Sequence, residues 1–136
     1  MKIMRRGDTY IAPDGAVFDG NVRIDGNFVL PRDSHVWGRL IVAGKLEIGP
    51  LSTVGGDVLT QQAIIGRAVR IKGTLSALEN ITVCDRARIG RIEAGGSVIL
   101  RPGVRVGDVK SNDVIYVFGK IKSGTLTGRN VKIIAA

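Results

Sequence analysis

The sequence predicts an all-β, single-domain, right-handed parallel β-helix (a solenoid) of about seven coils of 17 or 18 residues, each with three faces. Each of seven regularly spaced glycines is followed two positions later by Val, Leu or Ile. Apolar and polar residues alternate between the glycines, and no stretch shows sustained helical periodicity. A fixed period of this kind indicates stacked units that bury their apolar sides together. The repeat glycines are Gly20, Gly38, Gly56, Gly73, Gly90, Gly107 and Gly124.

The hand of the coil follows from topology and turn length. Parallel crossovers are right-handed in about 98% of cases. Left-handed coils built on a hexapeptide repeat are an exception, but they need about three equal sides of six residues. Turns of 17 residues do not supply three such sides, so the sequence favours the right-handed form.

The first strand of each coil follows the repeat glycine and is expected to direct two residues inward. The first inward column runs from Val22 to Leu126, and the second runs from Ile24 to Gly128. A turn then follows, at residue types that tolerate tight or positive-φ backbone, as at Gly44.

The second and third strands complete each coil. The second strand is expected to bury pairs such as Phe28 with Leu30 and, in the third coil, Ile64. Corners rich in Pro, Gly and Asp follow, and the third strand returns the chain to the next glycine. The outward column of the second strand is predicted to be largely apolar, and with Ile41 and Leu59 it forms either a lateral contact surface or an ordinary half-exposed strand surface. This column contains Val29, Glu47, Ile65, Thr82, Ile99 and Tyr116.

Composition agrees with a narrow aliphatic core. Hydrophobic residues make up 44% of the chain, whereas the aromatic residues are one Trp, two Tyr and three Phe. The single cysteine, Cys84, excludes an intramolecular disulfide framework and is expected to be a semi-buried filler. No signal-peptide core or membrane-spanning run is apparent, so the expected location is cytoplasmic. We expect a flexible tail over residues 1–14 and the coil over residues 15–136.

The repeated words GDVLT, GTLSA, GRIEA, GDVKS and GTLTG, alternating with segments such as AVRIKG and VRVGDV, resemble the bactofilins. These are polymer-forming bacterial and archaeal cytoskeletal proteins. The resemblance covers about Gly15 to Ile134 and implies a β-helical polymerisation domain that joins end to end into filaments without nucleotide. The segment IYVFGKIKSGTLTGRNVKI is also similar to the β-helical C-terminal domain of the division-site inhibitor MinC, so an oligomerisation domain of that type is an alternative.

The residues give a separate reason to expect self-association. A coil ends in open strand edges, which pair with other chains unless they are capped or charged. All the aromatic residues fall near the two ends of the sequence, either to fill wider terminal coils or to build joints. The predicted polymer interface consists of Phe18, Phe28, Trp37, Tyr116, Phe118, Ile133 and Ile134.

The net charge of +8 suggests an acidic partner. Arg70, Arg88, Arg105 and Lys122 occupy matching outward positions of the third strand and should form a basic stripe. Because like charges on neighbouring strands are destabilising, the stripe is either spread by flexible side chains or held for an anionic partner. A membrane surface or another polymer fits better than nucleic acid, because base stacking needs aromatics among the cations.

The first residues combine apolar and basic groups and are a candidate membrane tail, by analogy with some bactofilins. An ordinary disordered terminus is the other interpretation. The candidate residues are Lys2, Ile3, Met4, Arg5 and Arg6.

No enzyme, cofactor, metal site or small-molecule substrate is expected. Left-handed hexapeptide acyltransferases use a histidine in a cleft between subunits, but His35 has no long loop beside it. Asp57 and Asp108 follow repeat glycines and fit turn positions rather than an acid/base pair. The sequence therefore favours a cytoskeletal scaffold whose partners are itself and, as candidates, an anionic membrane or recruited proteins. A small coil enzyme remains the alternative.

Overall fold

Residues one repeat apart lie on top of one another in the computed structural model, which describes residues 2–134. Parallel coils about 17 residues apart stack into a β-solenoid of about seven turns, with no helix in the described range. Met1, Ala135 and Ala136, which the predicted tail and coil include, lie outside the described residues. The predicted fold class is confirmed.

Each coil contributes short strands to three faces. The strands are β1 (Met4–Arg6), β2 (Thr9–Ile11), β3 (Val17–Phe18), β4 (Val22–Ile24), β5 (Asn27–Leu30), β6 (His35–Val36), β7 (Leu40–Val42), β8 (Lys45–Ile48), β9 (Thr53–Val54), β10 (Val58–Thr60), β11 (Gln62–Ile65), β12 (Arg70–Ala77), β13 (Ile81–Val83), β14 (Arg88–Ala94), β15 (Val98–Leu100), β16 (Arg105–Val106), β17 (Val109–Ser111), β18 (Val114–Phe118), β19 (Leu126–Thr127) and β20 (Asn130–Ile134).

The three faces form two hydrogen-bonded sheets. The second face is a separate sheet in the order β1-β2-β5-β8-β11-β13-β15-β18-β20. The first face contains β4, β7, β10, β17 and β19, and the third face contains β3, β6, β9 and β16. Strands β12 and β14 run through the corner between the third and first faces and join them.

The inward columns of the first strand are confirmed. Val58 pairs with Leu75 and Thr60 with Ala77 in parallel register, and all four are buried. Thr60 fits a buried position because its hydroxyl donates to Gly44 O at 2.7 Å. Side chains of equal parity therefore stack from coil to coil and form one continuous core.

The prediction for the third coil was wrong by one residue. Ala63 and Ile65 are buried, whereas Ile64 is 42% exposed and points outward, in register with Glu47 below it and Thr82 above. The turn after Thr60 is one residue shorter than its counterparts, and a one-residue shift exchanges the two sides of a strand. Ile64 therefore replaces Ile65 in the outward column.

Part of the predicted flexible tail lies in a β-hairpin. Strand β1 pairs antiparallel with β2, with Met4 opposite Ile11 and Arg6 opposite Thr9, and Gly7 at φ 57° makes the turn. Strand β2 then stacks on β5. The hairpin adds a strand to the second face that the repeat does not predict, and it covers the N-terminal edge of that face.

Every repeat glycine except Gly20 is needed for close stacking rather than for unusual backbone angles. A Cβ on Gly56 would lie 2.9 Å from Gly38 O in the coil below, and Gly56 N donates to that same oxygen at 3.0 Å. Positive φ occurs instead at the corner after the second strand, as at Asp33, Leu51 and Ala68. The predicted corners are thus in place. The left-handed conformation occurs at these corners and not at the turn after the first strand, where Gly44 was expected to allow it.

Candidate assembly surfaces

Within residues 2–134, the last coil at the C-terminal end leaves the core of the solenoid uncovered. Ile133 pairs in register with the inward-facing Val117, yet it is 76% exposed because no described coil lies above it. An open hollow of about 550 Å³ begins here, with Ile121 and Leu126 also in its lining. The predicted polymer interface included Ile133 but not Ile121 or Leu126, whose apolar character at the last inward positions was the available signal.

The strands at this end have free edges. Strand β20 pairs with β18, and β19 pairs with β17, each on one side only within the described residues. The cations Arg105, Lys120 and Lys122 also line the hollow, without any acidic residue. This end therefore combines exposed apolar side chains, strand edges without a partner in the described range, and a basic rim.

The N-terminal end is more closed. Tyr10, Phe18 and Val22 are half-buried and pack against the core, and the Phe18 ring meets Phe28 edge to face with centroids 6.5 Å apart. Strands β3 and β4 each have one partner among the described strands, so the third and first faces keep open edges here. Hairpin β1–β2 covers the second face.

Phe28 cannot form part of a polymer surface, and this candidate is corrected. It is 1% exposed because Tyr10 lies in register below it, on its N-terminal side. The position of Phe28 near the start of the sequence suggested a terminal location, but the hairpin coil buries it.

The other predicted interface residues face sideways rather than along the axis. Trp37 is 48% exposed on the third face. Tyr116 pairs with Lys132 and Phe118 with Ile134 in outward register. The cations Lys132 and Arg101 lie 5.8 Å and 5.0 Å from the centroids of the Tyr116 and Phe118 rings, respectively. Of the seven candidates, Phe18 and Ile133 are the ones that face the ends.

The structure brings the basic stripe together. Arg70 pairs in register with Arg88, Arg88 pairs with Arg105, and Arg105 forms a bridge with Lys122. None of these cations takes part in an ion pair within the described range. Lys72, which the sequence analysis did not include, lies two residues beyond Arg70 on the same side, and alternation could have identified it.

His35 and Trp37 extend the third face below the stripe. His35 pairs with Thr53, and Thr53 pairs with Arg70, so His35 belongs to the same column. The Trp37 ring stacks on the His35 ring with centroids 5.2 Å apart and an interplanar angle of 12°. His35 Nδ1 is buried and has no hydrogen-bond partner within residues 2–134.

A small apolar patch lies on the first face and its adjoining corner. Leu59 and Leu78 are 52% and 75% exposed, and Ile41 stands beside Leu59 in register. Three shallow hollows meet at Leu59. The lateral surface anticipated from Ile41 and Leu59 therefore also includes Leu78.

The candidate membrane tail is partly engaged in the hairpin. Arg5 Nε donates to Gly7 O at 3.0 Å, and its guanidinium lies 5.2 Å from the centroid of the Tyr10 ring. Lys2 and Ile3 precede β1 and are exposed, as are Met4 and Arg6. No helix of the described range is long and apolar enough to cross a bilayer.

The aspartates that follow repeat glycines accept hydrogen bonds from backbone amides. Asp57 Oδ1 accepts from Thr74 N at 2.8 Å, and Asp108 Oδ1 accepts from Thr125 N at 2.9 Å. Each carboxylate thus satisfies an amide of the next coil. Within residues 2–134, no group of three His, Cys, Asp or Glu side chains is placed to hold a metal ion.

Cys84 lies at a corner and is partly buried. Burial raises the pKa of its thiol above the ordinary value, the neighbouring Asp85 carboxylate raises it further, and Arg101 acts in the opposite direction. Asp85 and Arg101 are themselves an ion pair at 3.6 Å. This environment favours the neutral thiol over the reactive thiolate.

Comparisons of the chain with protein-family models, with curated protein sequences and with solved structures found no significant match. Its function therefore has to be inferred from the geometry of the two ends and of the third face.

Proposed function

We propose that this protein is a structural scaffold of the bactofilin type, which assembles end to end into filaments without nucleotide. The observation that carries this proposal is the uncovered core at the C-terminal end. Ile133 occupies an inward column and is 76% exposed, and a second copy placed on this end would bury it as each coil buries the one before.

The hollow at this end supports the same function. Ile121, Leu126 and Ile133 present apolar surface in its lining, and removal of such surface from water is the main driving force for association. The free edges of β19 and β20 add unpaired backbone groups, which a neighbouring strand can satisfy. Apolar burial and strand pairing would then act together.

The N-terminal end can take part through its two open edges. Strands β3 and β4 offer backbone groups, whereas Tyr10 and Phe18 offer half-buried rings. Both ends of one rod can therefore associate with further copies, as a filament requires. The repeated GDVLT-type words and the resemblance to bactofilins point to the same scaffold role.

Negative-stain electron microscopy of the purified chain, without added nucleotide, tests this function. We expect fibres that persist after dialysis against a chelator. A closed, compact oligomer of fixed size, with a pocket at the subunit boundary, would instead support the coil-enzyme alternative and contradict the scaffold.

A further inference from the structure

We propose that the third face of the solenoid lies against an anionic membrane surface, with its cations over lipid phosphates and Trp37 at the level of the headgroups. This goes beyond filament formation, because the face runs along the side of each single rod, and only Arg105 and Lys122 of its stripe also line the C-terminal hollow. It also differs from the tail hypothesis, since it does not use Lys2 to Arg6.

The cations are arranged as a line on a flat surface. Arg70, Arg88, Arg105 and Lys122 follow one another in register. Neighbouring strands are about 4.8 Å apart, so the four residues extend over about 14 Å along the rod axis. A straight row on a sheet can contact a planar layer of phosphates with all its members at once.

No acidic side chain forms an ion pair with the stripe cations within residues 2–134. None of the third-face strands β3, β6, β9 and β16, nor the third-face parts of β12 and β14, contains Asp or Glu. Of the acidic groups at the neighbouring corners, Asp57 and Asp108 accept backbone N–H bonds, and Asp85 pairs with Arg101. Like charges in register oppose folding, and an external anion would remove this repulsion.

A hollow suited to a phosphate group lies within the row of cations. Arg70, Lys72 and Arg88 line a shallow hollow of about 350 Å³, together with Gly90. Gly90 has no side chain, which leaves the space between the cations open. Two guanidinium groups and one ammonium group match the oxygens of a lipid phosphate, because arginine binds phosphate with paired hydrogen bonds.

Trp37 favours a membrane over other polyanions. Its indole is 48% exposed, and the stacked His35 ring covers one of its sides. Val17, in register with His35, is 47% exposed on the same face. Tryptophan prefers the boundary between headgroups and acyl chains, whereas nucleic-acid strands need several free aromatic surfaces for stacking.

The experiment uses Trp37 as an internal reporter, because it is the one tryptophan of the chain. Vesicles of phosphatidylcholine containing phosphatidylglycerol should shift its emission to the blue, and brominated acyl chains should quench it. Pure phosphatidylcholine should do neither. The shift should weaken between about 0.1 M and about 1 M salt, over which the screening length falls from about 10 Å to about 3 Å.

Two variants of equal charge separate this face from general basicity. The stripe variant R70Q/K72Q/R88Q, which spares the cations of the C-terminal hollow, should float with anionic vesicles roughly a hundredfold less well, since each surface cation contributes about fivefold. The control R23Q/K45Q/K110Q removes three exposed cations from the other two faces and should lose much less. The tail variant K2Q/R5Q/R6Q should also retain most of the binding.

Several results would overturn the inference. These are equal loss in the stripe and control variants, an emission maximum that does not move on vesicle binding, and stripe substitutions that weaken duplex DNA binding while flotation is unchanged. Filaments are expected in all three variants under electron microscopy. The membrane inference and the filament proposal can therefore fail separately.

Discussion

Ile133 lies directly above Val117 in the same inward column, yet the two residues differ in exposure, at 76% and 4%. The difference arises from position alone, because strand β20 covers Val117 whereas no described strand covers Ile133. The last described coil therefore exposes side chains of the kind that are buried in the coils before it. This relationship makes the C-terminal end the first place to test assembly.

Ile133→Glu should abolish filaments while leaving the rod folded. A carboxylate in the apolar joint would lose its hydration, and the cations at the rim of the hollow would offset only part of that cost. In the isolated rod the side chain is already exposed, so the free energy of unfolding should change by less than about 0.5 kcal/mol. Electron microscopy and urea unfolding give the two measurements.

Leu78→Glu is the matched control for this substitution, because Leu78 is 75% exposed but lies at a lateral corner. It should leave filament length unchanged. Filaments of normal length from the Ile133 variant would contradict a C-terminal joint.

Arg88→Gln should stabilise the isolated rod. Arg88 stands between Arg70 and Arg105 in register, and like charges on adjacent strands are destabilising. We expect a gain of about 0.5 kcal/mol in urea unfolding at low ionic strength, and a smaller gain at high salt because of screening. Arg91→Gln should show no such gain, since Arg91 has Glu93 within 3.5 Å. Equal gains in both variants would mean that the stripe is not strained.

The period of the glycines was sufficient to predict the fold, because a residue and its counterpart one coil later share an environment. This explains why the inward positions from Leu40 to Val109 on the first face could be assigned. The prediction was wrong at Ile64 because the preceding turn is one residue shorter, and a period alone does not locate where a residue is lost. The buried Thr60, whose hydroxyl donates to Gly44 O in the coil below, immediately precedes this shortened turn.

The surfaces were harder to predict than the core. The sequence placed Phe28 near an end, but whether a coil covers it depends on hairpin β1–β2, which lies outside the repeat. Trp37 was also assigned to an end because it is near the start of the sequence, but it lies on a side face. The basic stripe could be predicted because its members obey the repeat, whereas exposure at the ends depends on where stacking stops.

Gly56→Ala and Gly20→Ala should have different effects, although both positions belong to the same ladder. A Cβ on Gly56 would lie 2.9 Å from backbone atoms of Gly38, whereas one on Gly20 would have nothing within 4 Å. We expect a loss of about 1–3 kcal/mol for Gly56→Ala because two coils must separate locally. Gly20→Ala should be close to neutral. Equal destabilisation would show that the ladder reflects backbone flexibility rather than close stacking.

Ala68→Gly should stabilise the rod. Ala68 has φ 56° and is half-buried, and an L-residue in this conformation costs about 1–2 kcal/mol. Glycine removes that cost but adds about 0.5–1 kcal/mol of backbone entropy in the unfolded chain. The net gain in urea unfolding should be about 0.5–1 kcal/mol. Ala87→Gly, at a buried position with ordinary φ, should instead destabilise.

The Cys84 thiol should react slowly with iodoacetamide near neutral pH. Burial and then Asp85 raise its pKa above the ordinary thiol value, so a smaller fraction is thiolate at any given pH, and the thiolate is the reactive form. Asp85→Asn should lower the pKa and speed alkylation, because it removes a nearby negative charge and frees Arg101 from its ion pair. The pH–rate profile should shift to lower pH in this variant. An unchanged profile would mean that burial alone sets the reactivity.

The raised pKa of Cys84 also affects stability. The stabilising effect of the neutral thiol is present below the unfolded-state pKa and is lost as the pH rises through the folded-state pKa.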